Sequence, residues 1–92
     1  MNTPRSYTVV LSAAAKRAIE RDLPETVGRA VVHFLFGPLA ADPHQVGKPL
    51  RLDLEGLWST RRGRYRLIYS IHDDQVLVRV VHISHRTDAY RA

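Results

Sequence analysis

The chain begins with one β-type and one helical pattern of apolar residues. Residues 7–11, YTVVL, are rich in β-branched and aromatic side chains, which predicts a first strand. Ser12 comes next and can act as a helix N-cap, because its hydroxyl can accept a bond from an unpaired backbone N–H. The segment after it has apolar residues at intervals of four, which places them on one face of a predicted first helix: Ala15, Ile19 and Leu23.

A second helix is predicted from Pro24, whose missing N–H costs nothing at a helix start. Its apolar residues fall at positions i, i+3, i+4, i+7 and i+8, which is the pattern of a core-facing stripe: Val27, Ala30, Val31, Phe34 and Leu35. Gly37 and Pro38 are predicted to end this helix. The two helices are expected to form a hairpin.

The second half of the chain is predicted to form strands. A connector over residues 38–56 has room for one short extended piece, and strand-like runs follow at 57–62, 64–71 and 75–84, separated by turns at Gly63 and at Asp73-Asp74. The order β-α-α-β-β-β predicts an α+β fold, with a helical hairpin and an antiparallel three-stranded meander in one small sheet. Residues 1–92 are expected to form a single domain.

The turn at Gly63 also predicts which residues face each other across the first hairpin. If Gly63 and Arg64 are the two central turn residues, Arg61 lies opposite Arg66. The same register puts one set of side chains on a common face (Trp58, Thr60, Leu67 and Tyr69) and another set on the opposite face (Ser59, Arg61, Arg66 and Ile68).

Positive charge is concentrated in this hairpin. The chain has 14 basic and 9 acidic residues, a net charge of +5, and no acid between Leu57 and His72. Such a charge balance favours an anionic partner, which can be nucleic acid, an acidic protein or a membrane surface. Like charges directly opposite each other destabilise a sheet by up to about 1 kcal/mol, and an anion bound between them would reverse that effect. The alternative is that the arginines are solvated edge charges that discourage aggregation.

Several classes of site are excluded or disfavoured. The chain has no cysteine, so disulfides and cysteine-based catalysis or metal binding are ruled out. No apolar run approaches the length of a membrane span and the first residues do not resemble a secretory signal, so a cytoplasmic location is expected. His82 and His85 are three apart on a predicted strand and should point to opposite faces, which disfavours a shared metal. No cofactor or metal is expected.

Two motifs near the end of the chain resemble a known family. The stretch GRYRLIY, residues 63–69, matches the pattern G-x-Y-R-[LVI]-[IV]-Y, and HRTDAY, residues 85–90, matches H-R-x-x-x-Y. An acidic turn and a valine-rich strand lie between them. At this spacing the chain resembles the RelE family of bacterial toxins, in the RelE/ParE superfamily. The resemblance implies a small antiparallel sheet with two helices on one face.

The resemblance also implies an activity and its partners. RelE-type toxins are ribosome-dependent mRNA endonucleases (mRNA interferases): they enter the ribosomal A site and cut the codon there, which inhibits translation. The 2′-hydroxyl of the mRNA attacks the adjacent phosphate, leaving a 2′,3′-cyclic phosphate and a 5′-hydroxyl. A cognate, RelB-like antitoxin is expected to lay an acidic segment over the basic sheet face in a toxin–antitoxin hetero-oligomer. The other expected partners are the ribosome and its mRNA, and no membrane is expected.

Site residues follow from the same resemblance. Arg66 matches the catalytic arginine that contacts the scissile phosphate, and Arg61 matches a basic residue that shares this work. Arg86 matches a second catalytic arginine near the leaving oxygen, and Tyr90 matches a tyrosine that orients or stacks on the substrate base. Further RNA contacts are expected in the same hairpin: Ser59, Arg62 and Arg64.

The chain departs from the family pattern at Ser59, where the best-studied type has a basic residue that can take the 2′-hydroxyl proton. Serine cannot do so unaided, and arginine is a poor base because its pKa exceeds about 12. His85 is the nearest candidate general base by sequence. Glu55 is a weaker candidate.

Two other functions remain open at this point. The first is a ParE-like toxin that poisons DNA gyrase without cutting RNA, since the folds are shared. The second is a non-toxic protein that has lost the activity and only binds RNA or an antitoxin. The departure from the family pattern at Ser59 is compatible with it.

Overall fold

Five strands and two helices make up the part of the chain, residues 6–85, that this computed structural model describes. The elements follow in the order β1 (Thr8–Leu11), α1 (Ala13–Arg17), α2 (Glu25–Phe34), β2 (Lys48–Pro49), β3 (Trp58–Arg62), β4 (Tyr65–His72) and β5 (Leu77–His85). The strands form one sheet in the order β1-β5-β4-β3-β2. All neighbours are antiparallel except β1 and β5, which are parallel. The predicted α+β class is confirmed.

Ser12 caps α1 as predicted. Its backbone is extended, with φ −68° and ψ 166°, and its Oγ accepts a hydrogen bond of 3.0 Å from the backbone N–H of Ala15. The same hydroxyl donates to the carbonyl oxygen of Val81 on β5 at 2.8 Å. This one side chain therefore both starts the helix and ties it to the sheet. The helix continues beyond α1 as a wider π-helical turn, Ala18–Asp22.

The prediction that Gly37 and Pro38 end the second helix is wrong. The helical chain runs on from α2 through a π-helical turn, Leu35–Leu39, with Pro38 inside it. Proline lacks an N–H and normally breaks an α-helix, but a π turn already shifts the backbone bonds out of the α pattern. Leu39 is fully buried and Ala40 is 6% exposed, so their packing favours the continuation.

The connector contains a fifth strand that the predicted meander lacked. β2 is only two residues long, and Lys48 pairs with Ser59 on β3. Two side-chain bonds fix the chain just before it: Thr60 Oγ1 donates to the carbonyl oxygen of Val46 at 2.6 Å, and Tyr69 Oη donates to that of Pro43 at 2.8 Å. Gly47 passes so close to the sheet that a Cβ there would lie 2.8 Å from the carbonyl oxygen of Ser59. These contacts, more than the length of β2, position this edge of the sheet.

The core lies between the helices and one face of the sheet. Most of the predicted stripe on α2 and its extension is buried, namely Val27, Val31, Phe34 and Leu35. These side chains join a cluster with Leu67, Tyr69, Val78 and Val80 from β4 and β5. Ala30 was predicted to face the core but is exposed. Gly28 is buried instead, close to the backbone of Ile19, so α2 is rotated slightly from the predicted stripe.

A small polar cluster holds three segments together at the end of the sheet where β4 turns into β5. Tyr7 Oη donates to Asp73 Oδ1 at 2.5 Å, and His44 Nε2 lies 3.0 Å from the same oxygen. The hydrogen bond from Tyr7, with that from His44, lowers the pKa of Asp73, and the bond to Asp73 raises the pKa of Tyr7.

Within residues 6–85, no helix is long and apolar enough to cross a membrane.

Candidate nucleic-acid interface

The first hairpin has the register predicted from the turn at Gly63. Arg61 pairs with Arg66 and Arg62 with Tyr65, while Trp58 pairs with Tyr69. Gly63 has a φ of +58°, the left-handed conformation that a Gly-X turn requires at its first position. Alternation along the strands then sends Leu67 into the core and Arg61 and Arg66 to the exposed side. The predicted two-sided character of the hairpin is confirmed.

The exposed side of the sheet forms a basic surface, here called the arginine face. Its side chains, assigned from register and alternation, include Lys48, Ser59, Arg61, Arg66, Ile68, Ser70, His72, Arg79, His82 and Ser84. None of the five described strands contains Asp or Glu. The positive charge of this face is therefore not neutralised within the sheet. A phosphate placed between Arg61 and Arg66 would receive two planar guanidinium groups, whose geometry suits phosphate oxygens.

A β-bulge decides which residues of β5 reach the arginine face. Ile68 pairs with His82 whereas the next residue, Tyr69, pairs with Val80, so Val81 is extra. The bulge restores the alternation on both sides of it: Val80 is buried, and Arg79 and His82 are both exposed. Arg79 and His82 are three residues apart, and an unbroken strand would have placed them on opposite faces. Sequence reasoning missed both residues, because no turn or proline signals the bulge.

The other arginines of the hairpin lie apart from the arginine face. Arg62 stacks its guanidinium over the ring of Phe34, 4.6 Å from the ring centroid, on the helix side of the sheet. Arg64 occupies the turn and, with Arg62 and Thr26, lines a cleft between the turn and the start of α2. Of the three further RNA contacts predicted, only Ser59 lies on the arginine face. The structure thus divides the four clustered arginines between two sides of the sheet.

His85 lies on the helix side. It pairs with Tyr65, which is buried, and its Nε2 is buried with no hydrogen-bond partner among the described residues. Because His82 and His85 are three apart beyond the bulge, they point to opposite faces, as predicted. The structure therefore does not bring His85 together with Arg61 and Arg66. Burial raises the pKa of Tyr65 at the same end of the sheet, with Arg62 acting in the opposite direction.

The remaining predicted positions fall elsewhere. Arg86 and Tyr90 lie outside the described residues. Glu55 is exposed in the loop before β3. Among residues 6–85, no three His, Asp or Glu side chains are grouped as a metal site would require. On the described surface, the arginine face brings together three of the predicted site residues, Ser59, Arg61 and Arg66, and its cations are suited to an anionic ligand.

Comparison with known proteins identifies the family of the chain. A sequence model described as the ParE toxin of type II toxin–antitoxin systems matches residues 6–90. The chain is 48% identical to Toxin RelE of Mycobacterium tuberculosis over 91 residues, which cover 99% of this chain and 93% of the relative. The chain belongs to the RelE family and is a toxin of a type II toxin–antitoxin system. The toxin is also 46% identical to Toxin RelG of the same organism, over 92% of its own length and 97% of RelG.

Solved structures give the same fold. The RelBE2 toxin–antitoxin complex of Mycobacterium tuberculosis contains a chain that matches the toxin with a TM-score of 0.87 and 42% identity, over 96% of the toxin and 100% of that chain. The isolated RelE toxin of Escherichia coli matches with a TM-score of 0.70 and 20% identity, over 87% of the toxin and 84% of that chain. At this lower identity the second match shows the fold alone.

Proposed function

We propose that the toxin is a ribosome-dependent mRNA endonuclease that cuts the codon in the A site. The observation that supports this most directly is the pairing of Arg61 with Arg66 on strands that carry no acid. Repulsion between the two guanidinium groups opposes the fold, whereas a phosphate between them would be held from both sides. The arrangement is thus better suited to a bound phosphodiester than to the free protein.

The chemistry needs stabilisation of charge more than it needs a protein nucleophile. When the 2′-oxygen of the mRNA attacks the adjacent phosphorus, negative charge grows on the phosphoryl oxygens. Cations fixed in advance at that position lower the barrier, and in measured cases the loss of one such group costs a factor of about 100–1,000. Arg66 and Arg61 are assigned this role. Arg86 is assigned to the leaving oxygen and Tyr90 to the base, as the family pattern predicts, and both assignments stay predictions.

Dependence on the ribosome is expected because Ser59, Arg61 and Arg66 supply no base of their own. Ser59 stands where a basic residue would help, and the guanidinium groups cannot accept a proton. A reaction without a strong base relies on holding the 2′-hydroxyl in line with the phosphorus, which a mobile RNA in solution does not provide. The ribosome supplies that constraint, so the toxin should cut free RNA poorly.

The decisive experiment is primer extension on an mRNA in stalled 70S ribosomes, with and without the purified toxin. The proposal expects a new 3′ end inside the A-site codon that requires ribosomes. Arg66→Ala should abolish it in a protein that keeps its circular dichroism spectrum and is at least as stable to melting as the unmodified toxin. Arg17→Ala, which removes an exposed arginine from α1, is the matched control and should cut normally. A folded Arg66→Ala protein that still cuts, or still arrests growth, would show the mechanism to be wrong.

A second candidate function is poisoning of DNA gyrase. It is favoured by the match to the ParE toxin model over residues 6–90. A gyrase cleavage assay separates the two, because only this candidate predicts trapped, broken DNA. A folded protein that neither cuts mRNA, traps gyrase nor slows growth would instead be a binding domain without activity.

The toxin is further proposed to bind a cognate antitoxin through the arginine face. Solved relatives include toxin–antitoxin complexes, and the absence of acids from the described strands leaves this surface open to an acidic segment. Such a segment would cover Arg61 and Arg66 and so exclude mRNA from them. A cytoplasmic location is proposed with this function, since ribosomes and mRNA are there.

A further inference from the structure

We infer that His82 is the general base of the proposed cleavage reaction. This inference rests on the proposed function and supplies what that function lacks, a group on the arginine face that can accept a proton near neutral pH. Histidine is the side chain whose ordinary pKa lies in that range. The sequence alone gives no sign of this role, because the spacing of His82 from His85 bears only on metal binding.

The register places His82 next to the arginine pair. On β5, Ser84 pairs with Arg66 and His82 pairs with Ile68, two positions farther along the same face. Diagonal neighbours of this kind have Cα atoms about 7–8 Å apart, within reach of long side chains. An arginine and a histidine at that separation can both contact one nucleotide. His82 is exposed, so nothing in the described chain covers it.

The surroundings of His82 suit a base that must bind beside a phosphate. The groups that share its face include, from β2 to β5, Lys48, Ser59, Arg61, Arg66, Ile68, Ser70, His72, Arg79 and Ser84, and Val10 lies beyond Arg79 on β1. His72 is at the far end of β4 from Arg66, and its Nε2 lies 3.0 Å from Ser70 Oγ. All the charged members of this set are cations. None is a carboxylate that would pair with the imidazole and compete with the 2′-hydroxyl for it. The phosphate itself offsets the cations once RNA is bound.

The reaction needs no reagent beyond the RNA, His82 and water. His82 takes the proton of the 2′-hydroxyl as the 2′-oxygen forms its bond to phosphorus. The bond between phosphorus and the 5′-oxygen breaks, and that oxygen takes a proton from water. Arg61 and Arg66 hold the phosphoryl oxygens throughout. His82 then returns its proton to solvent, and the products are a 2′,3′-cyclic phosphate and a 5′-hydroxyl.

The test measures single-turnover cleavage on stalled ribosomes as a function of pH, for the unmodified toxin, His82→Gln and His82→Ala. The rate of the unmodified toxin should fall as the pH is lowered, because a protonated imidazole cannot accept the 2′-hydroxyl proton. Both variants should cut about 100–10,000-fold more slowly at neutral pH, the usual contribution of a positioned base, and should lose that pH dependence. Their melting curves and their affinity for ribosomes should be unchanged. Added imidazole should partly restore His82→Ala, an effect that a purely structural role would not produce.

His33→Gln is the matched control, since His33 is an exposed histidine on α2, away from the arginine face. It should cut like the unmodified toxin. If His82→Gln cuts within about three-fold of the unmodified toxin with the same pH profile, the inference is overturned while the proposed function stands. If the unmodified toxin produces no cleavage at any pH, both are overturned together.

Discussion

Arg61 and Arg66 face each other directly across β3 and β4, with no acidic side chain on either strand. The pair is unfavourable for folding and is useful only when something negative lies between the two residues. The toxin therefore accepts a cost in stability at the position where its proposed substrate and its proposed antitoxin both bind. Stability and activity should respond in opposite directions to changes here.

The first prediction concerns this opposition. Arg61→Glu replaces a repulsive cross-strand pair with an attractive one and should raise the free energy of unfolding by up to about 1 kcal/mol. Urea denaturation at low and high salt is the measurement. Because salt screens exposed charges, the gain should shrink as ionic strength rises. The same variant should lose mRNA cleavage. A variant that is both less stable at low salt and fully active would contradict this account of the pair.

The second prediction concerns the antitoxin. If an acidic segment covers the arginine face, the association rate should fall steeply with salt concentration, because electrostatic steering is screened. Arg61→Glu and Arg66→Glu should each slow association, while Arg17→Glu on α1 should have little effect. Stopped-flow or surface-plasmon measurements of the association rate at several salt concentrations would show this. Equal rates for all three variants would mean that the antitoxin is held by other surfaces.

The third prediction concerns Gly47. A Cβ at this position would overlap Tyr69 Oη and crowd the carbonyl oxygen of Ser59. Gly47→Ala should therefore lower the free energy of unfolding by about 1–3 kcal/mol, as overpacking usually does. Gly37→Ala is the control, since nothing lies within 4 Å of a Cβ there. In a Tyr69→Phe background the loss from Gly47→Ala should be smaller, because the clashing hydroxyl is gone. Simple additivity of the two changes would show that the clash is not with Tyr69.

The fourth prediction concerns Tyr69 itself. Burial raises the pKa of its phenol from 10.0 to about 12. The folded protein thus holds this proton more tightly than the unfolded chain, so the stability it contributes is complete below pH 10 and is lost as the pH rises toward 12. Tyr69→Phe should be less stable at neutral pH by about 1–3 kcal/mol, since the buried carbonyl of Pro43 loses its partner.

The measurement for Tyr69 is urea denaturation across the alkaline range. Tyr69→Phe should lose less stability than the unmodified toxin between pH 10 and 12. Some slope should remain, because the pKa values of Tyr7 and Tyr65 are also raised. Identical alkaline slopes for the two proteins would mean that Tyr69 ionises equally well in the folded and unfolded states.

The register of the first hairpin, and with it the placement of Arg61 and Arg66, could be predicted from one residue, Gly63. Gly63 determined the turn, the turn determined the register, and the register assigned Arg61 and Arg66 to one face. Local chemistry of this kind is visible in a sequence because few residues adopt a positive φ without cost. The cap at Ser12 and most of the α2 stripe were also predictable from local sequence, since each depends on residues within a turn or two of the chain.

The features that could not be predicted all depend on contacts between distant segments. β2 exists because Thr60 and Tyr69 bond the connector at Val46 and Pro43. The helix passes Pro38 because Leu39 is buried in the core. The bulge at Val81 puts His82 beside the arginine pair and leaves His85 on the helix side. His85, the candidate base suggested by its position in the sequence, therefore lies on the opposite side of the sheet from Arg61 and Arg66.

The parallel pairing of β1 with β5 has a consequence for how the cell makes this toxin. The first strand of the sheet pairs only with the last described strand, so Thr8 cannot pair with Leu77 until residue 77 has left the ribosome. Until then β4 has only one of its neighbours, and Arg66 stands without Ser84 and His82 beside it. The order of the strands thus delays assembly of the sheet during synthesis. A ribosome that has not yet translated β5 therefore does not meet an assembled arginine face on this chain.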